Sequence, residues 1–198
     1  MTKIAALLMA AGNSRRMGGP NKLLLPFKAE ALVEYAITAV AKAKFDRRFL
    51  VTGRDFEHIE NYGAGFEIIH NPRFAEGFGT SLSTGFAALL SQPELNGALV
   101  MLADMPLISA THLDRMIVAF NQVGSKSVVR AAHHGQPGNP VIIPNPLFAD
   151  MAKLVGEQSG QAIIKASGLP IIFCEIGPAA LADIDTPEAL AALQEADL

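Results

Sequence analysis

Residues 4–9, Ile-Ala-Ala-Leu-Leu-Met, are apolar at every position, so both faces of an extended chain would be greasy. Such a run needs cover on both sides, as in a strand at the centre of a sheet flanked by helices. It breaks into the small residues Ala10, Ala11 and Gly12, then into a polar excursion carrying Asn13, Ser14, Arg15, Arg16 and Lys22, before returning to Leu23. A buried strand ending in side chains this small lets backbone N–H groups approach a ligand closely. The cationic residues bring positive charge to the same mouth, which makes it a phosphate-binding surface. An ordinary glycine turn with solvated arginines is an equal reading of the turn itself. The length of the polar excursion between two apolar runs favours a task.

The rest of the chain repeats the theme. Short apolar runs at 49–51, 66–69, 98–103, 127–131, 140–143 and 170–176 read as strands. Between them, Leu32, Val33, Ala36, Ile37, Val40 and Ala41 form one stripe of a helix. A weaker helical pattern covers 56–62, and stronger ones cover 80–90 and the segment holding Leu113, Met116, Ile117 and Phe120. Thr186 followed by Pro187 starts a last helix with a cap residue and a proline at its first position. Alternating strands and helices predict an α/β fold: one three-layer α/β/α Rossmann-like domain with a mostly parallel sheet. The strands on either side of residues 135–138 (Gly-Gln-Pro-Gly) have no helix between them, so an antiparallel member is expected there. No linker or repeat divides residues 1–198, read as a nucleotide half over about 1–108 and an acceptor half over about 109–198.

Half of the 198 residues are apolar, enough for a substantial core, and the formal net charge of −3 argues against coating nucleic acid or an anionic membrane. Cys174 is the single cysteine, which excludes an internal disulfide and fits a reducing compartment. No signal-like leader precedes the first strand, and no apolar run approaches the roughly 20 residues of a membrane span. A cytoplasmic protein is expected.

In open α/β sheets ligands bind beyond the carboxyl ends of the strands. Asp104 stands there, after the strand at 98–103 and before Met105 and Pro106. A carboxylate so placed can hold Mg²⁺ against phosphates; capping of the next helix is the competing role, although Ser109 lies nearer that start. Gly77 and Gly79 precede a helix whose first turn holds Thr80 and Ser81, free N–H groups and hydroxyls that suit a ligand or plain helix capping. Asp183 and Asp185 precede the last helix, where acidic groups commonly complement the macrodipole; paired with Asp104, one of them could complete a metal site. The neighbouring His133 and His134 lack further zinc-ligand partners, and Cys174 lies in an apolar strand as packing. Walker, dinucleotide-fingerprint and nucleophile-elbow motifs are absent.

In order and spacing these segments resemble the nucleotidyltransferase family that includes the molybdenum-cofactor guanylyl- and cytidylyltransferases. The resemblance rests on residues 8–26 (Leu-x-Ala-Ala-Gly-x-Ser-x-Arg-Met-Gly…Asn-Lys-Leu-Leu-x-Pro), 103–106 (Ala-Asp-Met-Pro) and 183–190 (Asp-Ile-Asp-Thr-Pro-Glu-Ala-Leu). Ala10-Ala11-Gly12, Asn21-Lys22, the Gly77 to Leu82 segment and residues 138–141 (Gly-Asn-Pro-Val) look most like the cytidylyl branch. The resemblance implies the nucleotide-diphospho-sugar transferase type of fold. It implies Mg²⁺-dependent transfer of CMP from CTP to the terminal phosphate of molybdenum-loaded molybdopterin, with release of pyrophosphate. It assigns Ala10, Ala11, Gly12, Asn13 and Ser14, with Arg16 and Lys22, to the triphosphate, and Gly79, Ser81 and Leu82 to base and ribose. Asp104, with Asp185 as second ligand, would hold the metal, so that Arg16, Lys22 and Asp104 form the catalytic set. A molybdoenzyme or its chaperone would be the partner. The family's late Gly-Asp-x-Gly-Ala-Arg-like motif is matched here by residues 156–163, with Gln161 where the arginine stands, so the acceptor is held differently or is another phosphorylated molecule. Guanylyl transfer, sugar-phosphate nucleotidyl transfer and a non-catalytic nucleotide-binding module are the rival readings.

Overall fold

The computed structural model describes residues 2–13 and 19–195. Its first strand, β1 (Ile4–Ala10), is buried at every position. A two-residue ladder of β2 (Pro26–Phe27) with β3 (Glu30–Ala31) leads into α1 (Leu32–Lys42). The chain continues through β4 (Arg47–Thr52), α2 (Phe56–Ile59), β5 (Glu67–His70), α3 (Phe78–Leu89), β6 (Gly97–Leu102) and α4 (Ala110–Gln122). It closes with β7 (Val128–His133), β8 (Gln136–Pro144), α5 (Phe148–Met151), α6 (Gln161–Ser167), β9 (Ile171–Glu175) and α7 (Pro187–Glu195).

The main sheet runs β5-β4-β1-β6-β8-β7-β9. All neighbours are parallel except where β8 enters: it pairs antiparallel with both β6 and β7. β1 therefore lies deep in the sheet, and its alternate side chains supply two cores. Ile4, Ala6, Leu8 and Ala10 pack with Val33, Ile37 and Val40 of α1 and Met116 and Phe120 of α4. Ala5, Leu7 and Met9 face Leu82, Phe86 and Leu89 of α3 and Met151 of α5. This is the three-layer arrangement expected from the apolar pattern, with one antiparallel member.

The antiparallel hairpin is tighter than the sequence suggests. His134 and Gly135 form its two-residue turn, both with positive φ, between the paired His133 and Gln136. That geometry is the one whose twist matches its flanking strands. β8 begins at Gln136 even though it contains Pro137 and Pro140, and the register shifts between Arg130 and Ala132 of β7 opposite them. An irregular ladder is how an inner strand tolerates residues that cannot donate. At the other end, Thr186 Oγ accepts from Ala189 N–H at 3.2 Å, the cap expected for α7. Among the described residues no helix is long and apolar enough to cross a membrane.

Candidate active site

The carboxyl ends of β1 and β6 open into a cavity of about 380 Å³, walled by Ala11, Gly12 and Asn13 on one side and Asp104, Asp183 and Asp185 on the other. Three chain segments far apart in sequence are fastened together at its floor. Ala103 N–H donates to the Met9 carbonyl at 3.1 Å, and Ile184 N–H donates to the Asp104 carbonyl at 3.0 Å. These backbone bonds place the acidic turn before α7 against the turn after β6.

Lys22 joins the third segment to them. Its ammonium donates to Asp104 Oδ2, to the Ile184 carbonyl at 2.7 Å and to Asp185 Oδ1 at 2.8 Å. An ammonium has three donors, and all three meet protein acceptors here. Burial works against the charged lysine, but the charges and hydrogen bonds of Asp104 and Asp185 outweigh it and hold its pKa above the ordinary value. Burial likewise pushes the Asp104 carboxyl up; Lys22 pulls it down, and Asp185 and Asp183 push it up again, leaving it above the usual carboxylate range. The sequence places Lys22 on a triphosphate. In this structure it is turned inward as the counter-ion of two carboxylates, and it must release one acceptor to meet a phosphate.

Asn21 sets this geometry. Its side chain accepts from Leu23 N–H at 3.1 Å and donates to the Arg54 carbonyl at 3.3 Å. This cap starts the short helical turn over Lys22–Leu24, which aims Lys22 inward.

The other sequence-predicted residues divide. Ala11, Gly12, Asn13 and Ser81 line the cavity with Lys22, Asp104 and Asp185. Ala10 is the fully buried last residue of β1. Gly79 and Leu82 stand behind the wall. The Gly79 N–H donates to the Gly156 carbonyl at 2.8 Å, and Leu82 lines a neighbouring, more apolar cavity. Ser14 and Arg16 lie outside the described residues. The glycine that this corner needs most is Gly77: φ is +133°, and a Cβ there would sit 2.5 Å from the Gly156 backbone.

Sequence reasoning missed two residues that organise the site. Arg54 donates to the Asn13 carbonyl at 3.0 Å and to the Gly19 carbonyl at 2.7 Å, clamping the chain on both sides of residues 14–18. Asn71, fully buried, donates to the hydroxyls of Thr80 and Ser81 at 3.0 Å each and so pins the start of α3. Neither belongs to a local motif. The only sequence signal for either is position: each follows closely on the carboxyl end of a strand, β4 for Arg54 and β5 for Asn71.

A metal fits the donor set. Asp104 Oδ1 is buried without a hydrogen-bond partner among the described residues, and an unpartnered buried carboxylate oxygen is costly unless something cationic meets it. The cavity wall also holds four carboxylates, Asp104, Glu157, Asp183 and Asp185, against the single ammonium of Lys22 among the described residues. Among those residues no group of three or more His, Cys, Asp or Glu converges as a ready-made metal cage. Mg²⁺ is typically held by one or two carboxylates while substrate phosphates complete its shell. Asp104 and Asp185 are the residues that would hold it.

The family model for the MobA-like NTP transferase domain matches residues 6–171. The chain is 26% identical to the purine catabolism protein PucB of Bacillus subtilis, over 93% of both proteins. It is 28% identical to the molybdenum cofactor cytidylyltransferase of Escherichia coli, over 95% of this chain and 94% of that protein. In fold it is similar to Rv0371c of Mycobacterium tuberculosis, with a TM-score of 0.83 and 23% identity over 98% of each chain. The chain is a nucleotidyltransferase and belongs to the MobA-like NTP transferase domain family.

Proposed function

We propose that this protein moves CMP from CTP to the terminal phosphate of molybdenum-loaded molybdopterin, releasing pyrophosphate with the help of Mg²⁺. The observation that carries the metal and phosphate chemistry is the buried Asp104 Oδ1, without a hydrogen-bond partner among the described residues, beside Lys22 in a cavity with excess carboxylate. Such a wall repels a triphosphate unless cations accompany it. The choice of CTP and of molybdopterin is supported by the Ala10-Ala11-Gly12 and Asn21-Lys22 spellings, and by the E. coli relative named as a cytidylyltransferase.

In this reading an oxygen of the acceptor phosphate bonds to the α-phosphorus of CTP. The bond from that phosphorus to the α–β bridging oxygen breaks, and its electron pair leaves with pyrophosphate. The acceptor phosphate is ionised near neutral pH, so the protein has no proton to remove. Its work is positioning and charge compensation. The backbone from Ala11 to Asn13 gives the phosphates a close approach, and Lys22 turns from Asp185 toward the departing pyrophosphate. Bound Mg²⁺ would supply charge neutralisation between Asp104, Asp185 and the phosphates.

The test is pyrophosphate release from each of the four nucleoside triphosphates with Mg²⁺, with and without molybdenum-loaded molybdopterin. CTP should be preferred, and the acceptor should accelerate release. Asp104→Asn should lower turnover by at least about a hundredfold, as expected when a site loses its preorganised electrostatics. Faster turnover with GTP, or with UTP or TTP and a sugar 1-phosphate, would overturn the proposed substrates. Full turnover by Asp104→Asn would overturn the metal role.

A further inference from the structure

Beside the Asp104 cavity, and sharing Phe78 and Leu102 with it as walls, lies a second cavity of about 190 Å³. Its lining is mostly apolar and includes Leu82, Val141 and Ile164. Among the described residues one cation lines it: Arg130 of β7. The strand's alternation explains its placement. Val129 and Ala131 turn into the core under α1 and α4, so Arg130 projects from the opposite face. There it is registered between Val141 of β8 and Phe173 of β9. Phe173 is half exposed, so the helical cover of this face has run out at that point.

Arg130 Nε donates to the Gly138 carbonyl at 2.9 Å, which fixes the plane of the guanidinium. Its two terminal nitrogens meet no protein acceptor among the described residues. A guanidinium held by one edge, with its other edge at the mouth of an apolar slot, is preorganised for two-point recognition of an oxyanion or a carbonyl pair. The slot is smaller than the roughly 300–1,000 Å³ of a complete ligand site, so it suits one fragment of a ligand.

We propose that this slot seats the body of the phosphate acceptor. The acceptor is a molecule with a flat ring system bearing a carboxylate or carbonyl oxygen; the ring lies against Val141 and Leu102, and its oxygen meets Arg130. Its phosphate reaches past Phe78 into the Asp104 cavity. The inference rests on the nucleotidyl-transfer reading for the direction of that phosphate, but the ring site itself can be tested alone. It makes Arg130 a specificity residue for the acceptor, with no part in holding the nucleotide.

The probe is 6-carboxypterin, a fluorescent bicyclic carboxylate, titrated into the full chain and followed by fluorescence polarisation. A parallel thermal titration with CTP and Mg²⁺ reports on the nucleotide cavity. Wild type should bind the probe, and Arg130→Ala should weaken it by at least about tenfold. Arg130→Lys should recover only part of the loss, and Val141→Phe, which fills the slot, should abolish binding. Stabilisation by CTP and Mg²⁺ should persist in all of them. Should Arg130→Ala fail to fold, Arg130→Gln keeps much of the stem's packing and carries the same expectation. Equal binding by wild type and the Arg130 variants, no binding by wild type, or tighter binding of glucose 1-phosphate than of the pterin would each overturn the slot. A probe that binds through Arg130 while CTP and Mg²⁺ give no stabilisation would leave the slot standing and overturn the nucleotide reading instead.

Discussion

Gly12 offers a clean separation of folding from binding. A Cβ built there meets nothing within 4 Å among the described residues, and its φ lies outside the left-handed region. Among the described residues neither packing nor backbone conformation therefore demands glycine. In Gly12→Ala the unfolded chain loses freedom, which stabilises the fold by about 0.4–1 kcal/mol. For a chain of this size that is a rise of about 1–4 °C in Tm. The new methyl group, however, projects into the cavity bounded by Lys22 and Asp104. Crowding a close-fitting site costs about 1–3 kcal/mol, so nucleotide affinity should fall by about 5- to 150-fold. Differential scanning fluorimetry without ligand and isothermal titration with CTP and Mg²⁺ measure the two effects separately. Gly77→Ala is the contrast, because φ of +133° and the 2.5 Å approach to Gly156 make that methyl group incompatible with the fold; it should lose stability and binding together. If Gly12→Ala is destabilised like Gly77→Ala, Gly12 is structural. If it gains stability and binds normally, the ligand does not approach the backbone after β1.

Three further outcomes follow from the same contacts. Burial raises the pKa of Asp104 in the metal-free fold above that of the unfolded chain, so its contribution to stability is present at acid pH and lost as pH rises through that elevated value; Mg²⁺ needs the carboxylate, so the gain in Tm with added Mg²⁺ should grow over the same rise, and a gain independent of pH would remove Asp104 from the site. Arg54→Ala releases the carbonyls of Asn13 and Gly19, and titration should show nucleotide affinity down by about 1–3 kcal/mol while kcat at saturation falls much less; an unchanged affinity would mean that the clamp has no bearing on binding. Ser109 N–H donates to His112 Nδ1 at 3.3 Å within the capping box of α4, and burial, helped by Arg115, holds the His112 pKa below the usual value. Stability from this group is therefore complete above the ordinary histidine pKa of about 6.5 and is lost as pH falls through the depressed value; urea melts of His112→Gln, which keeps an acceptor at that position, should show a flatter acid limb than wild type.

What could be read in the sequence followed from local rules. Every position of β1 is apolar, which placed it between two layers, and Thr186-Pro187 marked the last helix through its own cap. The hairpin turn at His134-Gly135 is shorter than the connection over residues 135–138 that the sequence suggests, because the register shift in β7 that lets β8 begin at Gln136 is invisible in one strand alone. The short helices α5 and α6 carry too few residues for a periodic signal. In the site, single residues at strand ends were legible while relationships were not. Nothing in the spelling of Asn21-Lys22 says that the ammonium turns in to Asp104 and Asp185 across 82 and 163 residues of chain.

That inward lysine is the part of the site that stability does not explain. An ammonium shared between two carboxylates in a largely buried position gains Coulomb energy, but much of it is offset by desolvation, and apolar residues of the same volume would serve the fold at least as well. The Asp104 oxygen facing away from Lys22 has no partner among the described residues and adds a further cost. A fold under selection for stability alone would shed both features. They make sense if the cluster alternates between partners: Lys22 neutralises Asp104 and Asp185 when phosphate is away, and turns to phosphate when a divalent cation takes over the carboxylates. Lys22→Met separates the two halves of this exchange. It removes the internal counter-ion, so the metal-free protein should melt lower and gain more from Mg²⁺ than wild type does. CTP affinity at saturating Mg²⁺ should still be weaker, because the phosphate contact is gone. Equal gains from Mg²⁺ in the two proteins would show that the lysine and the metal never compete for the same carboxylates.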